Sequence, residues 1–318
     1  MDVTVVIPTR DRPDLLALTL QTALWQEHVQ AEILVVDDGE EPGTAELVRQ
    51  VGDSRVRLLR NSEPHGVSTA RNMGIAASRG EWIAFLDDDD LWAPRKLAAQ
   101  LAMADTSGAA WVYAGDVTVD EELRVVAGAP PPPPTTVISD LRRHNAVPAG
   151  ASNVVVRRDL LDAVGTFDPE LRTSEDWDLW LRLAARSAPA CVREPLVALR
   201  THRRMASRDA TQLLADVEIV ARRHNIRVDR ARHQRWAAWI CLEDGHRGRA
   251  LHHYARAILA GDVASVGRAA VAALYPQIAR RRTLPMDDWA VDAQRWLDDL
   301  RRAPSDADRN TSARQQWK

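Results

Sequence analysis

Cysteine is scarce in this chain of 318 residues, which contains only Cys191 and Cys241. Each lies in an apolar stretch, without a second Cys or His at a metal-binding spacing, so the sequence predicts neither a disulfide framework nor a zinc site. We expect two buried thiols in a reducing compartment.

Long apolar runs and an excess of positive charge are also missing. No run approaches the roughly 20 apolar residues that span a bilayer, and the first ten residues, MDVTVVIPTR, lack a basic n-region and a long apolar core. The formal net charge of -3 argues against a basic surface of the kind that holds nucleic acid. We therefore expect a cytoplasmic protein without nucleic-acid partners, and peripheral association with a membrane stays open.

Charge is unevenly distributed, because the second half is rich in arginine. The residues concerned are Arg203, Arg204, Arg222, Arg223, Arg280, Arg281 and Arg282. Solvated helix faces are the ordinary explanation of such runs. An anionic acceptor or a membrane surface is the alternative.

Short apolar runs alternate with helical patterns in the first part of the chain, which predicts an α/β fold with a mainly parallel sheet. The predicted strands are 3–7, 33–36, 56–59 and 82–86, and the predicted helices are 14–25, 44–51 and 67–78. Further strands are predicted at 111–115, 117–126, 153–156 and 196–199, with a helix at 177–185. The five prolines at 130–134 can form neither helix nor central strand, and predict a stiff spacer or a loop beside an acceptor site.

The pattern becomes helical from about Asp209. We predict a catalytic domain over 1–207, a helical region over 208–302 and a disordered tail over 303–318. Within the helical region, about 236–260 resembles one tetratricopeptide-type hairpin without a second copy. Three roles stay open for this region: binding an acceptor, pairing two subunits in a homodimer, or bracing the catalytic domain.

Polar residues follow several predicted strands at the point where each strand ends. Thr9 and Arg10 follow the first strand, Asp37 and Asp38 the second, and 87–90 is a run of four aspartates. Because ligands bind beyond the carboxyl ends of strands in such sheets, we expect these side chains to share one cleft.

Four adjacent carboxylates raise one another's pKa values unless something neutralises them. A divalent cation does so, and magnesium typically takes one or two carboxylates together with substrate phosphates. The run therefore predicts a Mn²⁺ or Mg²⁺ site for a nucleotide diphosphate. The structural alternative is an acidic turn that caps the helix beginning near Pro94.

Six segments in order give the sequence a family resemblance. They are VVIPTRDRP at 5–13, VVDDG at 35–39, HGVSTARNMG at 65–74, FLDDDDLW at 85–92, VGTFD at 164–168 and SEDWDLWLRL at 174–183. Together they resemble family 2 glycosyltransferases, and the resemblance covers residues 1 to about 207. It implies a GT-A fold, with a sugar nucleotide lying across the strand ends and the acceptor entering opposite.

The resemblance implies roles for individual residues on the donor side. Thr9 and Asp38 match positions that hold the base and ribose, and Arg71 matches one that approaches the phosphates. A surface salt bridge is the alternative for Arg71, and a turn carboxylate is the expected role of Asp37.

The aspartate run matches the family's Asp-x-Asp region. Asp88 would face the ribose and Asp89 would hold the metal. Asp87 belongs to the same donor- and metal-binding set, and His202 matches a segment that reaches the diphosphate or completes the metal shell. We expect Asp90 to cap the following segment.

On the acceptor side, Glu175 and Asp176 match the pair that supplies the catalytic base, usually at the position of Asp176. Helix capping by Ser174 with acidic first-turn residues also explains the location of this pair. Trp92 and Trp177 border the two acidic sites and could stack on a sugar ring, although tryptophan more commonly packs in the core.

The sequence thus predicts an inverting, metal-dependent glycosyltransferase that adds one sugar from a UDP-, GDP- or TDP-linked donor to a glycan, a lipid-linked intermediate, a peptide or a small molecule. Processive members carry Gln-x-x-Arg-Trp. HQRW at 233–236 resembles this motif only superficially, because its spacing is wrong. A sugar-nucleotide nucleotidyltransferase and a non-catalytic binding module are the alternatives. A nucleotidyltransferase usually has a glycine-rich loop where this chain reads PTRD at 8–11. A non-catalytic module would be expected to lack the Asp-x-Asp region or the pair Glu175 and Asp176, and both are present.

Overall fold

The computed structural model describes residues 2–202, 209–274 and 288–302. Several predictions fall outside these ranges: the arginines Arg203, Arg204, Arg280, Arg281 and Arg282, and the disordered tail over 303–318. Among the described residues, no helix combines the length and apolarity needed to cross a membrane.

The first part of the chain alternates strands and helices as predicted. Its elements are β1 (Val3–Thr9), α1 (Pro13–Leu24), β2 (Ala31–Asp37), α2 (Gly43–Val51), β3 (Val56–Arg60), α3 (Val67–Ala77) and β4 (Trp82–Phe85). The strands lie side by side in the order β3-β2-β1-β4, and all three pairs are parallel. Every residue of β1 and β2 is buried, as expected for parallel strands that carry helices on both faces.

The second part extends the same sheet with mixed strand directions. Its elements are β5 (Asp90–Trp92), α4 (Lys96–Ser107), β6 (Trp111–Val119), β7 (Val125–Ala129), α5 (Pro134–Leu141), a 3₁₀ turn (Gly150–Asn153), β8 (Val155–Arg157), α6 (Arg158–Val164), α7 (Glu175–Arg186) and β9 (Ala190–Arg200). The order continues β4-β8-β6-β9-β5, with β7 beside β6, and only the β6–β9 pair is parallel here. The α/β fold class is confirmed, with its parallel pairing concentrated in the first part.

Three local predictions in the second part were wrong. The strands predicted at 111–115 and 117–126 are one strand, β6, followed by a hairpin to β7. The strand predicted at 196–199 is the end of the longer β9. Pro134 is helical, because it is the first residue of α5, where its fixed φ suits the helix and its missing N–H costs nothing.

Helices follow β9 in the described residues: α8 (Ala210–Arg223), α9 (Arg230–Glu243), α10 (Arg247–Leu259), α11 (Ser265–Leu274) and α12 (Asp288–Arg302). α9 and α10 form the predicted hairpin, which encloses a small core that includes Cys241 and Tyr254. Both cysteines are buried free thiols, as predicted.

The last helix packs against the sheet rather than against the hairpin. Trp289 of α12 lies over Gly115 of β6, where an added Cβ would meet the indole ring. Gln294 accepts a hydrogen bond from the Val125 N–H at 3.0 Å, and Trp296 Nε1 donates to the Pro195 carbonyl at 3.2 Å. The helical region predicted over 208–302 thus contacts the sheet at its C-terminal end, and the domain boundary near 207 stays a prediction.

We expect Gly74→Ala to destabilise the fold by about 1–3 kcal/mol, the usual cost of overpacking a core. An ideal Cβ at Gly74 would lie 2.3 Å from Val6 Cγ1, so α3 would have to move away from β1. The matched control is Gly248→Ala in α10, where nothing lies within 4 Å of the new Cβ. Alanine should there raise stability by at most about 1 kcal/mol through helix propensity. Denaturant unfolding of both variants measures the difference, and equal stabilities would contradict the close approach of α3 to β1.

Candidate active site

A cavity of about 1160 Å³ opens beyond the carboxyl ends of β1 and β4. The aspartate run at 87–90 lines one end, Glu175 and Asp176 line the middle, and residues of α9, α10 and α11 line the far wall. The two acidic sets therefore face one space, although Glu175 and Asp176 begin a helix rather than follow a strand. Of the strand-end residues that the sequence predicts to share one cleft, only 87–90 line this cavity.

Asp88 is fully buried, and Arg12 neutralises it. Arg12 Nη2 lies 2.6 Å from Asp88 Oδ1, its Nε donates to Oδ2 at 3.1 Å, and Thr9 Oγ1 donates to the same oxygen at 2.6 Å. Burial raises the pKa of Asp88 to about 7, against the opposing charge of Arg12. Thr9 and Asp88, which the sequence predicts to contact the donor, are thus bound to each other. Arg12 had no role in the sequence prediction.

Asp89 is the carboxylate that lies against His202. His202 Nε2 is 2.9 Å from Asp89 Oδ2, and Arg12 Nη1 is 3.1 Å from the same oxygen. Burial acts to raise the pKa of Asp89, but the hydrogen bond from His202 and the charge of Arg12 outweigh it, so the pKa lies below its usual value. Asp89 stays ionised and shares its oxygen with an imidazole nitrogen, an arrangement that suits a divalent cation.

The prediction that Asp90 caps the following segment was wrong. Asp90 is the first residue of β5, and its Oδ2 accepts a hydrogen bond from Ser152 Oγ at 2.5 Å. Burial and the charges of its neighbours raise its pKa well above the usual value. Because the chain turns directly into a strand, there is no helix N-terminus beside Asp90 for it to cap.

Arg200, at the end of β9, holds the backbone of the acidic turn. Its Nε donates to the Asp89 carbonyl at 2.6 Å, and its Nη2 donates to the carbonyls of Leu15 and Asp88 at 2.7 and 3.2 Å. Thr19 Oγ1 adds contacts of 2.8 and 2.9 Å to the Asp88 and Asp90 carbonyls. The carbonyl groups of the turn are therefore satisfied inside the protein, and the aspartate side chains are held in fixed directions.

Arg71 joins the two acidic sets. It is only 2% exposed, its Nη2 lies 2.5 Å from Asp87 Oδ1, and its Nη1 lies 2.6 Å from Glu175 Oε1. Burial acts to lower the pKa of Arg71, yet the charges of Asp87 and Glu175 raise it above its usual value. Two buried atoms of the group, Arg71 Nε and Glu175 Oε2, have no hydrogen-bond partner among the described residues. A surface salt bridge, the alternative role for Arg71, is excluded because its guanidinium is buried.

Asp176 stands in the middle of the cavity at the start of α7. Its Oδ1 accepts the Trp177 N–H at 2.7 Å, and its Oδ2 accepts Asn145 Nδ2 at 2.8 Å. Ser174 occupies the N-cap position, but its side chain makes no capping hydrogen bond. Burial and the charge of Glu175 raise the pKa of Asp176 to about 7, against the opposing charge of Arg71. This carboxylate can therefore take and release a proton near neutral pH.

The remaining predicted donor-side residues lie outside the cavity lining. Asp38 accepts hydrogen bonds from Asn61 Nδ2 at 2.6 Å and from the backbone N–H groups of His65 and Gly66 at 2.9 and 2.8 Å, so it shapes the loop before α3. Asp37 accepts the Gly39 N–H at 3.0 Å, the turn role expected for it. Arg10 is exposed.

The two tryptophans beside the acidic sets are core residues. Trp92 is fully buried, and its Nε1 donates to the Ser152 carbonyl at 2.7 Å. Trp177 is 1% exposed, and its Nε1 donates to the Leu141 carbonyl at 2.7 Å. Neither ring is available to stack on a sugar.

The segment HQRW at 233–236, to which the sequence assigned no role, contributes to the cavity lining. His233, Arg235 and Trp236 of α9 line the far wall, and the His233 ring stacks on Trp177 with centroids 5.6 Å apart. The sequence did not predict this wall, because ligand-binding residues were expected at the ends of strands and the wall is helical. The spacing of Trp236 and Trp239 on one helix face could have indicated it.

A metal at this site would need ligands from a substrate. Among the described residues, no three His, Cys, Asp or Glu side chains are grouped to hold an ion. Asp89 and His202 are together, whereas Asp87 lies against Arg71. One carboxylate, Asp89, completed by phosphate oxygens matches the way magnesium is usually bound, and His202 would add an imidazole nitrogen.

Comparison with known proteins identifies related sequences. Residues 4–165 match the family model described as glycosyl transferase family 2. The succinoglycan biosynthesis protein ExoO of Rhizobium meliloti is 42% identical over 108 residues, which are 34% of this chain and 31% of that protein. The UDP-Glc:alpha-D-GlcNAc-diphosphoundecaprenol beta-1,3-glucosyltransferase WfgD of Escherichia coli is 28% identical over 181 residues, 57% of this chain and 69% of that protein. The match to ExoO thus spans about a third of its length.

Solved structures share the fold at low sequence identity. The crystal structure of S. aureus TarS 1-349 in complex with UDP-GlcNAc superposes with a TM-score of 0.59 and 15% identity, over 88% of this chain and 90% of that one. The complex of the same protein with UDP gives a TM-score of 0.56 at 13% identity, over 96% of this chain and 92% of that one. This likeness establishes the fold.

We expect Arg71→Met to lower the free energy of unfolding by about 3–5 kcal/mol at pH 8, because it leaves Asp87 and Glu175 near each other without their cation. The destabilisation should shrink as the pH falls, because acid removes the negative charge that the variant leaves without a cation. Denaturant unfolding at pH 8 and pH 5.5 measures both effects.

Arg157→Ala is the control for that variant, since it breaks an ion pair with Asp159 whose side chains are 37% and 65% exposed. We expect it to cost less than about 1 kcal/mol. A loss in Arg71→Met that is equally small, or that grows toward low pH, would contradict the buried bridge.

Proposed function

Because this chain belongs to glycosyl transferase family 2, we propose that it transfers a sugar from a nucleotide-diphosphate donor to an acceptor hydroxyl with inversion at the sugar carbon. The observation that carries this proposal is the joining of two acidic sets in one cavity by buried Arg71. One set suits a donor phosphate and its metal, and the other offers a base.

The donor end is the part of the cavity around Asp87, Asp88 and Asp89. WfgD is named for a UDP-Glc donor, and TarS is solved with UDP-GlcNAc. These relatives favour a UDP-linked sugar for this chain as well. Arg71 supports the same assignment, because its buried Nε has no partner among the described residues and could donate to a phosphate oxygen.

Asp89 and His202 are the residues that would hold a Mn²⁺ or Mg²⁺ ion, with the donor diphosphate completing its coordination. The bound ion would stabilise the negative charge that develops on the departing diphosphate. Arg12 already shares Asp89 Oδ2, so its guanidinium would stay close to that charge.

Asp176 is the proposed general base. The acceptor oxygen forms a bond to the anomeric carbon as the bond from that carbon to the diphosphate breaks, and the electron pair leaves with the diphosphate. The acceptor proton passes to the Asp176 carboxylate, each oxygen of which keeps a lone pair beyond its one hydrogen bond. A direct displacement of this kind inverts the anomeric carbon and needs no covalent enzyme intermediate.

Single addition is proposed from the sequence, since the Gln-x-x-Arg-Trp motif of processive members is absent. The acceptor stays open among a glycan, a lipid-linked intermediate, a peptide and a small molecule. A nucleotidyltransferase is disfavoured by the lack of a glycine-rich loop after β1, where Pro8, Thr9 and Arg10 stand instead. A non-catalytic module would not need a carboxylate with the raised pKa of Asp176.

Two substitutions separate donor binding from transfer. We expect Asp89→Ala to lose Mn²⁺-dependent binding of UDP, because it removes the ionised oxygen beside His202. Asp176→Asn should keep UDP binding and lose about 10²–10⁴-fold in transfer, the usual contribution of a general base. Calorimetry with UDP and Mn²⁺, and UDP release from a panel of donors with cell extract as the acceptor source, measure the two effects.

Full transfer by Asp176→Asn would remove this residue as the base. Loss of UDP binding in that variant would make its effect structural. A wild-type protein that neither binds nor turns over any donor in the panel would contradict the proposed enzyme.

The pH profile gives an independent check on the base. Asp176 acts only when deprotonated, so with a pKa of about 7 the rate at saturating donor should rise with pH and level off above pH 7, falling about tenfold per unit below it. Asn145→Ala removes a hydrogen bond that lowers this pKa, so the inflection should move to higher pH. An unchanged inflection in Asn145→Ala would assign the titration to another group.

A further inference from the structure

The far wall of the cavity has a charge opposite to that of the donor end. Arg232 and Arg235 of α9 and Arg268 of α11 line it, and Arg172 lines the cavity from the loop before α7. The acidic lining residues are all at 87–90, 175 and 176. Arg235 Nη1 and Arg268 Nη1 share one carboxylate oxygen, Asp262 Oδ2, at 2.7 and 3.2 Å. One carboxylate therefore serves two guanidinium groups, and the wall keeps an excess of positive charge.

The other two arginines have no hydrogen bond from the guanidinium group to any described residue. Asp229, the acidic residue nearest in sequence to Arg232, accepts the backbone N–H of Arg232 at 2.9 Å with its Oδ1 rather than the side chain. Arg172 is exposed at the rim. Both guanidinium groups can therefore bind an anion without first breaking an internal ion pair.

Two aromatic rings stand among these cations. Trp236 and Trp239 lie one turn apart on the cavity face of α9, with ring centroids 5.0 Å apart and planes tilted by 34°. Tyr254 of α10 lines the same part of the cavity. Partly exposed indole rings offer an apolar surface to the C–H face of a sugar.

The wall is tied to the residues around Asp176 by direct contacts. Asn145 binds Asp176, and the neighbouring His144 has its pKa lowered to about 4 by burial and by the charge of Arg232. The Asp229 N–H, just before α9, donates to the Arg143 carbonyl at 2.8 Å. Arg232 thus lies close to the 143–145 loop, which contacts the proposed base, Asp176, through Asn145.

We propose that α9, α10 and α11 form an acceptor subsite, and that this subsite takes a sugar bearing a phosphate group. The inference rests on the proposed function, which it extends from the donor to the acceptor. The sugar ring lies against Trp236 and Trp239 with a hydroxyl toward Asp176, and the phosphate lies among the arginines. Phosphate is favoured over carboxylate because its oxygens and its second charge can engage several planar guanidinium groups at once.

The first experiment is calorimetry on the full chain with the donor end filled by UDP and Mn²⁺. Glucose 1-phosphate, glucuronic acid and methyl glucoside are titrated in turn. We expect glucose 1-phosphate to bind at least about tenfold more tightly than the other two, with an affinity that falls as salt is added. Equal affinity for methyl glucoside would overturn the proposal.

Variants assign the binding to the wall. Arg232→Ala should weaken glucose 1-phosphate binding by about tenfold, and Arg249→Ala is the matched control, since Arg249 is an exposed arginine of α10 that does not line the cavity. Trp236→Ala should weaken binding of both glucose 1-phosphate and methyl glucoside, and Trp236→Phe should restore part of it. An unchanged affinity in Arg232→Ala would overturn the arginine assignment.

A further titration distinguishes a soluble sugar phosphate from a lipid-linked one. In it, a polyprenyl diphosphate sugar in phosphatidylcholine vesicles replaces glucose 1-phosphate. Binding of either ligand that depends on Arg232 supports the subsite, and the ligand that binds more tightly shows whether the phosphate is soluble or lipid-linked. UDP affinity of the wild-type protein is measured separately. Failure of UDP to bind contradicts the donor proposal, whereas UDP binding without any Arg232-dependent sugar phosphate binding contradicts only the acceptor subsite.

Discussion

Neutralisation of carboxylates at the edge of the sheet is the constraint on which the rest of the site depends. Three arginines from distant parts of the chain supply it: Arg12 lies between Asp88 and Asp89, Arg71 joins Asp87 to Glu175, and Arg200 holds the turn backbone. Without these cations, a run of buried carboxylates would either protonate or destabilise the fold. The strands, helices and turns around the edge are arranged so that all three guanidinium groups reach it.

Arg71 has a second consequence, because it connects the proposed donor end to the acidic pair that includes the proposed base, Asp176. Its charge opposes the rise in the pKa of Asp176, while Glu175, its own partner, contributes to that rise. A phosphate that bound Arg71 would compete with these carboxylates for the same cation. If the proposed roles hold, the proton affinity of Asp176 therefore depends on whether a phosphate occupies the donor end.

Much of the fold could be predicted from the sequence, because local signals and tertiary structure agree in the first part of the chain. The buried strands β1 and β2 read as apolar runs, and the helices between strands keep helical spacing. The family resemblance, which the match over 4–165 confirms, pointed to the run at 87–90 and also to Glu175 and Asp176, which lie beyond the matched residues. Asp90 and Pro134 were misjudged for local reasons: a strand follows Asp90 directly, and a proline that ends a polyproline run can also begin a helix.

The ion pairs and hydrogen bonds of these arginines could not be predicted in the same way, since most of their partners are remote in sequence. The contact from Arg200 to Asp89 spans 111 positions, and the one from Arg71 to Glu175 spans 104. No periodicity or short motif specifies such a pair, and the same residue types occur on solvated helix faces elsewhere in the chain.

The positive charge of the far wall indicates what kind of ligand can bind there, which the family motifs do not specify. In a metal-dependent transfer, the donor brings negative phosphates to the carboxylates, and a cation must lie between them. On the arginine wall, Asp262 is shared by Arg235 and Arg268 and the positive charge is in excess, so we expect an anion to bind there without a metal. A substrate with one phosphate beside the arginines and a hydroxyl at Asp176 would then be oriented by the field of the cavity itself. Asp176, the proposed base, is connected to this wall through Asn145 and the 143–145 loop, so an anion bound there would act on the loop that positions Asp176.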